Sequence, residues 1–326
     1  MSEKTLLEVK DLRTYFKTSK GDAKAVDGVS FTLNYGECLG LVGESGCGKT
    51  TTALSICQLL PNNGRIAGGE IILDGENYVS MDEKTIRSHR WKDVSIIFQG
   101  AMNAFNPVKK VGWQIAEACI LHRKMSKDEA WKRAGELFEM VGIPKERVSQ
   151  YPHEFSGGMK QRAMIAMALA CDPKLIIGDE PTTALDVMIQ AQILELLESL
   201  RKELNMGMIL ITHDLSILGE TCDKIAVMYA GKIAELGTVD DIFNHPVHPY
   251  TRKLLKCFPN IEDPARTIPD GIPGYPPNLV NPPQGCLFCP RCDERCAVCS
   301  TTSPEYIQIG PEHFVSCHKA GVEDVR

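Results

Sequence analysis

Stretches with a two-residue alternation give way repeatedly along this chain to stretches with a helical period. Leu6-Leu7-Glu8-Val9-Lys10 and Val29-Ser30-Phe31-Thr32-Leu33 alternate apolar and polar positions, as half-buried strands do. Cys38 to Val42 is a short apolar run that ends in glycines, and Val94 to Phe98 reads as a buried strand. Lys174 to Gly178 and Met208 to Thr212 carry the near-continuous apolar pattern of parallel strands covered on both faces. Helical periods run over Lys49–Leu60, Val111–Met140, Gly157–Cys171 and Val187–Leu204. Ile225–Tyr229 and Lys232–Glu235 flank Ala230-Gly231 as a hairpin, and Thr238-Val239-Asp240-Asp241 has the form of a capping box. Strands alternating with helices predict an α/β fold. After about Pro259 this order stops: prolines recur at 264, 269, 273, 276, 277, 282 and 283 with no periodicity. The chain is therefore expected to divide into a domain over 1–258 and an irregular Pro/Cys-rich extension over 259–326.

Composition narrows the function classes. The 326 residues are 43% hydrophobic and 24% charged, an ordinary globular balance. A net charge of −6 argues against a broad nucleic-acid footprint, which would be basic. The N-terminal residues lack a signal core, and the longest apolar runs, such as Ala163–Cys171, are short of a membrane span, so a soluble cytoplasmic chain is expected. Thirteen cysteines fall into two populations. Cys38, Cys47, Cys57, Cys119, Cys171, Cys222 and Cys257 are scattered, as small buried hydrophobes are. The other six crowd Cys286 to Cys317, a pattern that in a reducing compartment favours a metal or cluster over disulfides.

Candidate chemistry begins at Gly43-Glu44-Ser45-Gly46-Cys47-Gly48-Lys49-Thr50, which fits G-x-x-x-x-G-K-[ST] between a strand and a helix. Loop N–H groups at the helix start cradle phosphate oxygens, Lys49 reaches the β- and γ-phosphates, and the Thr50 hydroxyl ligates Mg2+. Cys47 at a helix N-terminus is expected to favour thiolate, so that alkylation would inhibit and ATP would protect. Leu175-Ile176-Ile177-Gly178-Asp179-Glu180 is a buried strand ending in two carboxylates: Asp179 suits Mg2+, and Glu180 suits orienting or deprotonating an attacking water. Ser156-Gly157-Gly158-Met159 opens a helix with Ser156 as its cap.

The order of P-loop, Gln99 after a strand, Ser-Gly-Gly, Asp-Glu, and His213 after a strand resembles the ATP-binding cassette (ABC) ATPases. The resemblance implies a P-loop NTPase fold with a RecA-like core, an antiparallel β subdomain and a helical subdomain at about 100–163. It implies that Gly43–Thr51 is Walker A, Gln99 the Q-loop and a Mg2+ neighbour, and Ser156–Met159 the signature. It makes Asp179 the Walker B aspartate, Glu180 the catalytic glutamate, Asp186 the D-loop aspartate and His213 the switch histidine. Phe16, beside Tyr15, stands where an aromatic stacks on adenine. Two such domains would meet head to tail and sandwich ATP, each signature helix facing the other chain's nucleotide.

Further stretches are similar to the dipeptide/oligopeptide importer ATPases: Gly100-Ala101-Met102-Asn103-Ala104-Phe105-Asn106-Pro107 after Gln99, Tyr151-Pro152-His153-Glu154, Pro181–Val187, His245–Thr251, and Ile272–Leu279 followed by Gly285-Cys286, which resembles the C-terminal extension of the first of the two ATPases such importers use. Gly100-Ala101 departs from that group, which usually has an acidic residue and a proline there. Cys286, Cys292, Cys299 and Cys317 reproduce the Cys-x5-Cys-x6-Cys and later Cys-His layout of the group's C-terminal extension. That resemblance implies a 4Fe–4S cluster, with zinc or unmetallated thiols as the alternatives; Cys289 and Cys296 are additional, so which four of the six would bind stays open. It also implies a second ABC ATPase subunit as partner, two membrane permease subunits, an extracytoplasmic substrate-binding protein, no nucleic acid, and a place on the cytoplasmic face of the membrane. Uptake of di- or oligopeptides is the expectation. Nickel chelates or oligosaccharides are the alternative cargo, and a soluble ABC protein working on nucleic acid or ribosomes is a more distant reading.

Overall fold

The computed structural model describes residues 4–98, 100, 104–183, 185–257 and 271–320. Gln99, the Q-loop positions 101–103 and the expected domain limit near 259 lie outside the described residues.

Strands β1 (Thr5–Thr18) and β2 (Gly21–Asn34) open the chain; the alternation at Leu6–Lys10 and Val29–Leu33 marks only part of each. β3 (Cys38–Val42) is buried at every position and leads to α1 (Lys49–Ile56). That helix stops short of Leu60 because Gln58 turns into the left-handed region, with φ 54. β4 (Gly64–Leu73), β5 (Glu76–Asn77), α2 (Glu83–His89) and β6 (Val94–Ile97) follow. The helical period over Val111–Met140 belongs to two helices, α3 (Val111–Arg123) and α4 (Lys127–Met140). Lys124 closes the first at φ 56, and Ser126 opens the second with Glu129 in a capping box. Then come α5 (Gly157–Ala168), β7 (Leu175–Asp179), α6 (Val187–Leu204), β8 (Gly207–Ile211) and α7 (Leu215–Thr221). β9 (Lys224–Tyr229) and β10 (Lys232–Thr238) form the expected hairpin, with Ala230 at φ 48 and Gly231 at φ 85 as a tight turn needs. α8 (Val239–Asn244) carries the expected Thr238/Asp241 capping box, and α9 (Pro249–Lys256) follows. The extension is not wholly irregular: β11 (Ile307–Gln308) and β12 (Phe314–Val315) pair, and β12 adds to β10 at Glu235↔Val315 and Leu236↔Phe314.

The chain forms two compact units. The first comprises the described parts of 1–7, 32–38 and 72–211. In it β6, β7 and β8 run parallel in that order, with Val94↔Leu175 and Leu175↔Gly207 in register. β7 and β8 are buried at every residue, which is why their sequences are apolar rather than alternating. α3, α4 and α5 pack as a helical layer in the same unit; Phe138 of α4 meets Phe155 edge-on at 6.0 Å between ring centres. Phe155, at the signature's leading position, is thus a core residue.

The second unit comprises 8–31, 39–71 and the described residues from 212 onward. β3 pairs in parallel with β9, and β9, β10, β12 and β11 continue antiparallel. Glu235 on β10 is fully buried and accepts from the Val247 and His248 N–H groups and from His313 Nε2 at 2.8 Å. One buried carboxylate therefore ties strand, loop and extension together. His248 is buried: its Nδ1 accepts from the Tyr250 N–H and caps α9, and burial pushes its pKa down to about 4.

Candidate functional site

The turn after β3 carries Gly43 to Thr50. Gly43 has φ 149, and a Cβ there would lie 2.1 Å from the Met228 carbonyl oxygen; Gly48 has φ 110, and a Cβ would lie 2.4 Å from the Ala25 oxygen. Both positions exclude any side chain. At Gly46, φ 77, a Cβ would meet nothing within 4 Å. Ser45 and Gly46 are exposed while Gly43, Cys47 and Gly48 are buried. The loop is thus seated at both ends and open at its crest, where backbone N–H groups can receive an anion. Lys49 lays its ammonium over the loop, 2.7 Å from Gly43 O and 3.2 Å from Glu44 O. Thr50 is exposed and Thr51 half-buried in the first turn of α1.

Cys47 corrects an expectation. It is 4% exposed, and burial raises its thiol pKa although Lys49 Nζ lies 3.6 Å from its sulfur. Desolvation outweighs the lysine and the helix terminus, so burial favours the neutral thiol over the thiolate.

Two aromatics on β1 separate in role. Tyr15 donates its hydroxyl to Asp27 Oδ1 at 2.6 Å, and burial with that bond pushes its pKa up to about 12. Phe16 is half-buried, with its ring edge where a Cβ on Gly64 would come within 2.7 Å. Phe16 and the Gly43–Thr51 loop belong to the second unit, as does His213, exposed just before the Asp214 cap of α7.

The remaining candidates belong to the first unit. Asp179, 4% exposed, ends β7. Glu180 follows in the left-handed region at φ 49, its N–H on Ile211 O at 2.9 Å and its Oε2 accepting from Thr183 Oγ1 at 2.9 Å. A non-glycine residue held in that region is strained, and the strain is countered by the sheet bond. Gly178 faces Pro181, which a Cβ would meet at 3.1 Å. Ser156 caps α5 by accepting from the Met159 N–H at 3.3 Å and is exposed. Gly158 lets α5 approach α6: a Cβ would lie 2.9 Å from Ile189 Cγ2. Asp186 caps α6 through Ile189 N–H at 3.0 Å. Gln99 lies outside the described residues.

The cysteines of the extension are near one another without converging as the spacing led us to expect. Among the described residues no group of three or more His, Cys, Asp or Glu side chains is arranged to hold a metal ion. Cys286, Cys292 and Cys317 are half-buried, with thiol pKa values raised by burial, and Cys299 is buried, its thiol pushed up to about 11. Cys299 and Cys296 lie 3.2 Å apart sulfur to sulfur, and Cys296 was outside the expected four. As placed, the thiols do not fit a cluster or zinc, so no step is derived through either.

Two residues of the second unit escaped the sequence analysis. Tyr250 accepts from the Glu44 N–H through its hydroxyl at 3.0 Å. Arg291, in the Cys289–Arg291 turn, grips the Glu44 carboxylate at 2.6 and 2.8 Å. No local signal marks either, since their partner is more than two hundred residues away.

A family model described as ABC transporter matches residues 26–183, and one described as oligopeptide/dipeptide transporter, C-terminal region, matches 234–299. The chain is 49% identical over 95% of its length, and 87% of the relative's, to an oligopeptide transport ATP-binding protein of Bacillus subtilis. It is 46% identical to the Escherichia coli oligopeptide transport ATP-binding protein, over 96% of this chain and 93% of that one. Among solved structures, a dimeric ATP-binding cassette bound to ADP and phosphate matches with a TM-score of 0.64 at 26% identity, covering 72% of this chain and 99% of that one.

Proposed function

Since the chain belongs to the oligopeptide and dipeptide transport ATP-binding proteins of the ABC class, we propose that it hydrolyses ATP to power peptide uptake through a membrane importer. The observation that carries the ATP reading is the seated, open-crested loop from Gly43 to Thr50 with Lys49 laid over it. The match of 234–299 to the transporter C-terminal region supports the peptide cargo.

In this reading the Gly46-side N–H groups and Lys49 bind the β- and γ-phosphates, and Phe16 stacks on the adenine. By family likeness Thr50, Gln99 and Asp179 would hold Mg2+, which would supply positive charge against the phosphates. Glu180 orients the attacking water and takes its proton, and His213 contacts the γ-phosphate. Ser156–Met159 serve the nucleotide of a second ATPase subunit, with Asp186 contributing to that pairing. Two permease subunits and a substrate-binding protein complete the importer, and this chain sits peripherally at the cytoplasmic face. No helix among the described residues is long and apolar enough to cross a membrane. A 4Fe–4S cluster or zinc on Cys286, Cys292, Cys299 and Cys317 rests on spacing and family likeness alone. Iron, sulfide and zinc content of anaerobically purified protein decides it.

The functional test replaces Glu180 by Gln. ATP turnover should fall about 100-fold or more while ATP binding persists. Cells depending on the variant should lose uptake of a labelled tripeptide and keep uptake of free amino acids. Unchanged peptide uptake would overturn the proposal.

A further inference from the structure

Arg291 of the cysteine-rich extension reaches the phosphate-binding loop. Arg291 closes the short turn Cys289–Arg291, with its own side chain only 4% exposed. A guanidinium has five N–H donors in a fixed fork, and here every one has an acceptor. Nε donates to Pro273 O at 2.9 Å. One terminal nitrogen donates to Glu44 Oε2 at 2.6 Å and to the Tyr229 hydroxyl at 3.2 Å; the other donates to Glu44 Oε1 at 2.8 Å and to Ile272 O at 2.9 Å. The Arg291 carbonyl in turn accepts from Lys253 Nζ at 2.9 Å. Next to it, Phe288 of the same segment fills an aromatic cluster with Tyr229 and Tyr250, ring centres 5.2 and 5.3 Å away.

Glu44 is equally engaged. Its N–H donates to the Tyr250 hydroxyl, and its carbonyl accepts from the Lys49 ammonium at 3.2 Å and the Cys47 N–H at 3.2 Å. The carboxylate that meets Arg291 therefore belongs to the residue whose backbone positions Lys49. A bidentate pair fixes direction as well as distance. Shifting Glu44 would break two charge-assisted bonds and leave a buried guanidinium short of partners.

We propose that Arg291 is a positioning residue for the phosphate-binding loop, acting through Glu44, so that the extension is part of what sets ATP affinity. The proposal rests on the assignment of Gly43–Thr50 as the ATP-phosphate loop. It differs from a plain anchoring role, in which Arg291 would only keep the extension docked.

The test measures equilibrium binding of a fluorescent ATP analogue to the purified full-length chain. The variants are Arg291→Met, Arg291→Lys, Glu44→Gln and the double Arg291→Met/Glu44→Gln, with Lys49→Ala as control. The positioning role predicts a roughly 10-fold weaker Kd for Arg291→Met and for Glu44→Gln, with no further loss in the double variant. Arg291→Lys should recover part of the loss, because it keeps charge without the fork. KM for ATP should rise in step with Kd, and kcat should fall by a smaller factor. Limited proteolysis reports whether the extension stays docked. If Arg291→Met does not fold, Glu44→Gln and Arg291→Lys carry the test, since both leave a cation or polar partner at the contact. Unchanged affinity in Glu44→Gln and Arg291→Lys, or losses that add in the double variant, would overturn the proposal. A wild-type chain that binds no more ATP than Lys49→Ala would overturn the loop assignment itself, a result distinct from both.

Discussion

At the scale of single residues, burial decides chemistry that sequence position suggests otherwise. Cys47 sits in a loop rich in positive partial charge, yet its thiol is buried and its pKa raised. Cys296 has the opposite setting: it is half-buried, and the Cys299 sulfur beside it lowers its thiol pKa. In reduced, metal-free protein, iodoacetamide should therefore label Cys296 well before Cys47, as peptide mass mapping would show; prompt labelling of Cys47 would contradict the buried setting. His248 makes a second prediction. Its pKa is near 4 in the fold and 6.5 when unfolded, so between those values the unfolded chain binds the extra proton. Its contribution to stability is whole above about pH 6.5 and is lost as pH falls toward 4, on the order of 3 kcal/mol across the window. Asn at 248 keeps a capping acceptor for Tyr250 N–H without a titrating ring. Urea unfolding at pH 7 and pH 5 should show a smaller pH dependence in His248→Asn than in the wild type.

Elements meet through glycines and caps that the hydrophobic pattern does not reveal. Gly112 on α3 packs against the turn Lys145–Ser149, and a Cβ there would lie 2.6 Å from the Val148 carbonyl oxygen. Gly112→Ala should cost about 1–3 kcal/mol in urea unfolding, because backbone cannot move aside as a side-chain tip can. Lys124 supplies the α3 side and Ser126 the α4 side of the break that periodicity alone ran through. Ser126→Ala should cost about 1 kcal/mol by the same measurement. The Ser126-x-x-Glu129 spacing was legible as a capping box. It was hidden by apolar positions that keep the helical period across the join, since both helices bury one face in the same layer.

At the scale of the whole molecule, the extension is a structural part of the second unit. His313 completes the shell of buried Glu235, β12 adds to β10, and Phe288 fills an aromatic cluster. Ending the chain at Cys257 would leave Glu235 short of a partner and uncover Tyr229 and Tyr250. The truncated protein should melt at least about 5 °C lower than the full chain in a thermal scan. Sequence by itself marked the alternation of the main strands and helices, though not β4, β5, α2, α7, α9, β11 or β12, and it marked the glycine-rich loop of Gly43–Thr50, the Asp179-Glu180 pair and the family. Each of these depends on neighbours within a few residues, or on apolar periods that local geometry dictates. It also marked the six clustered cysteines, though not their placement. Only the tertiary structure decided that Cys47 and His248 are buried, that Cys296 meets Cys299, and that Arg291 meets Glu44. Those facts turn on which distant segments exclude water from a group and which charges they bring to it, and no spacing along the chain encodes that.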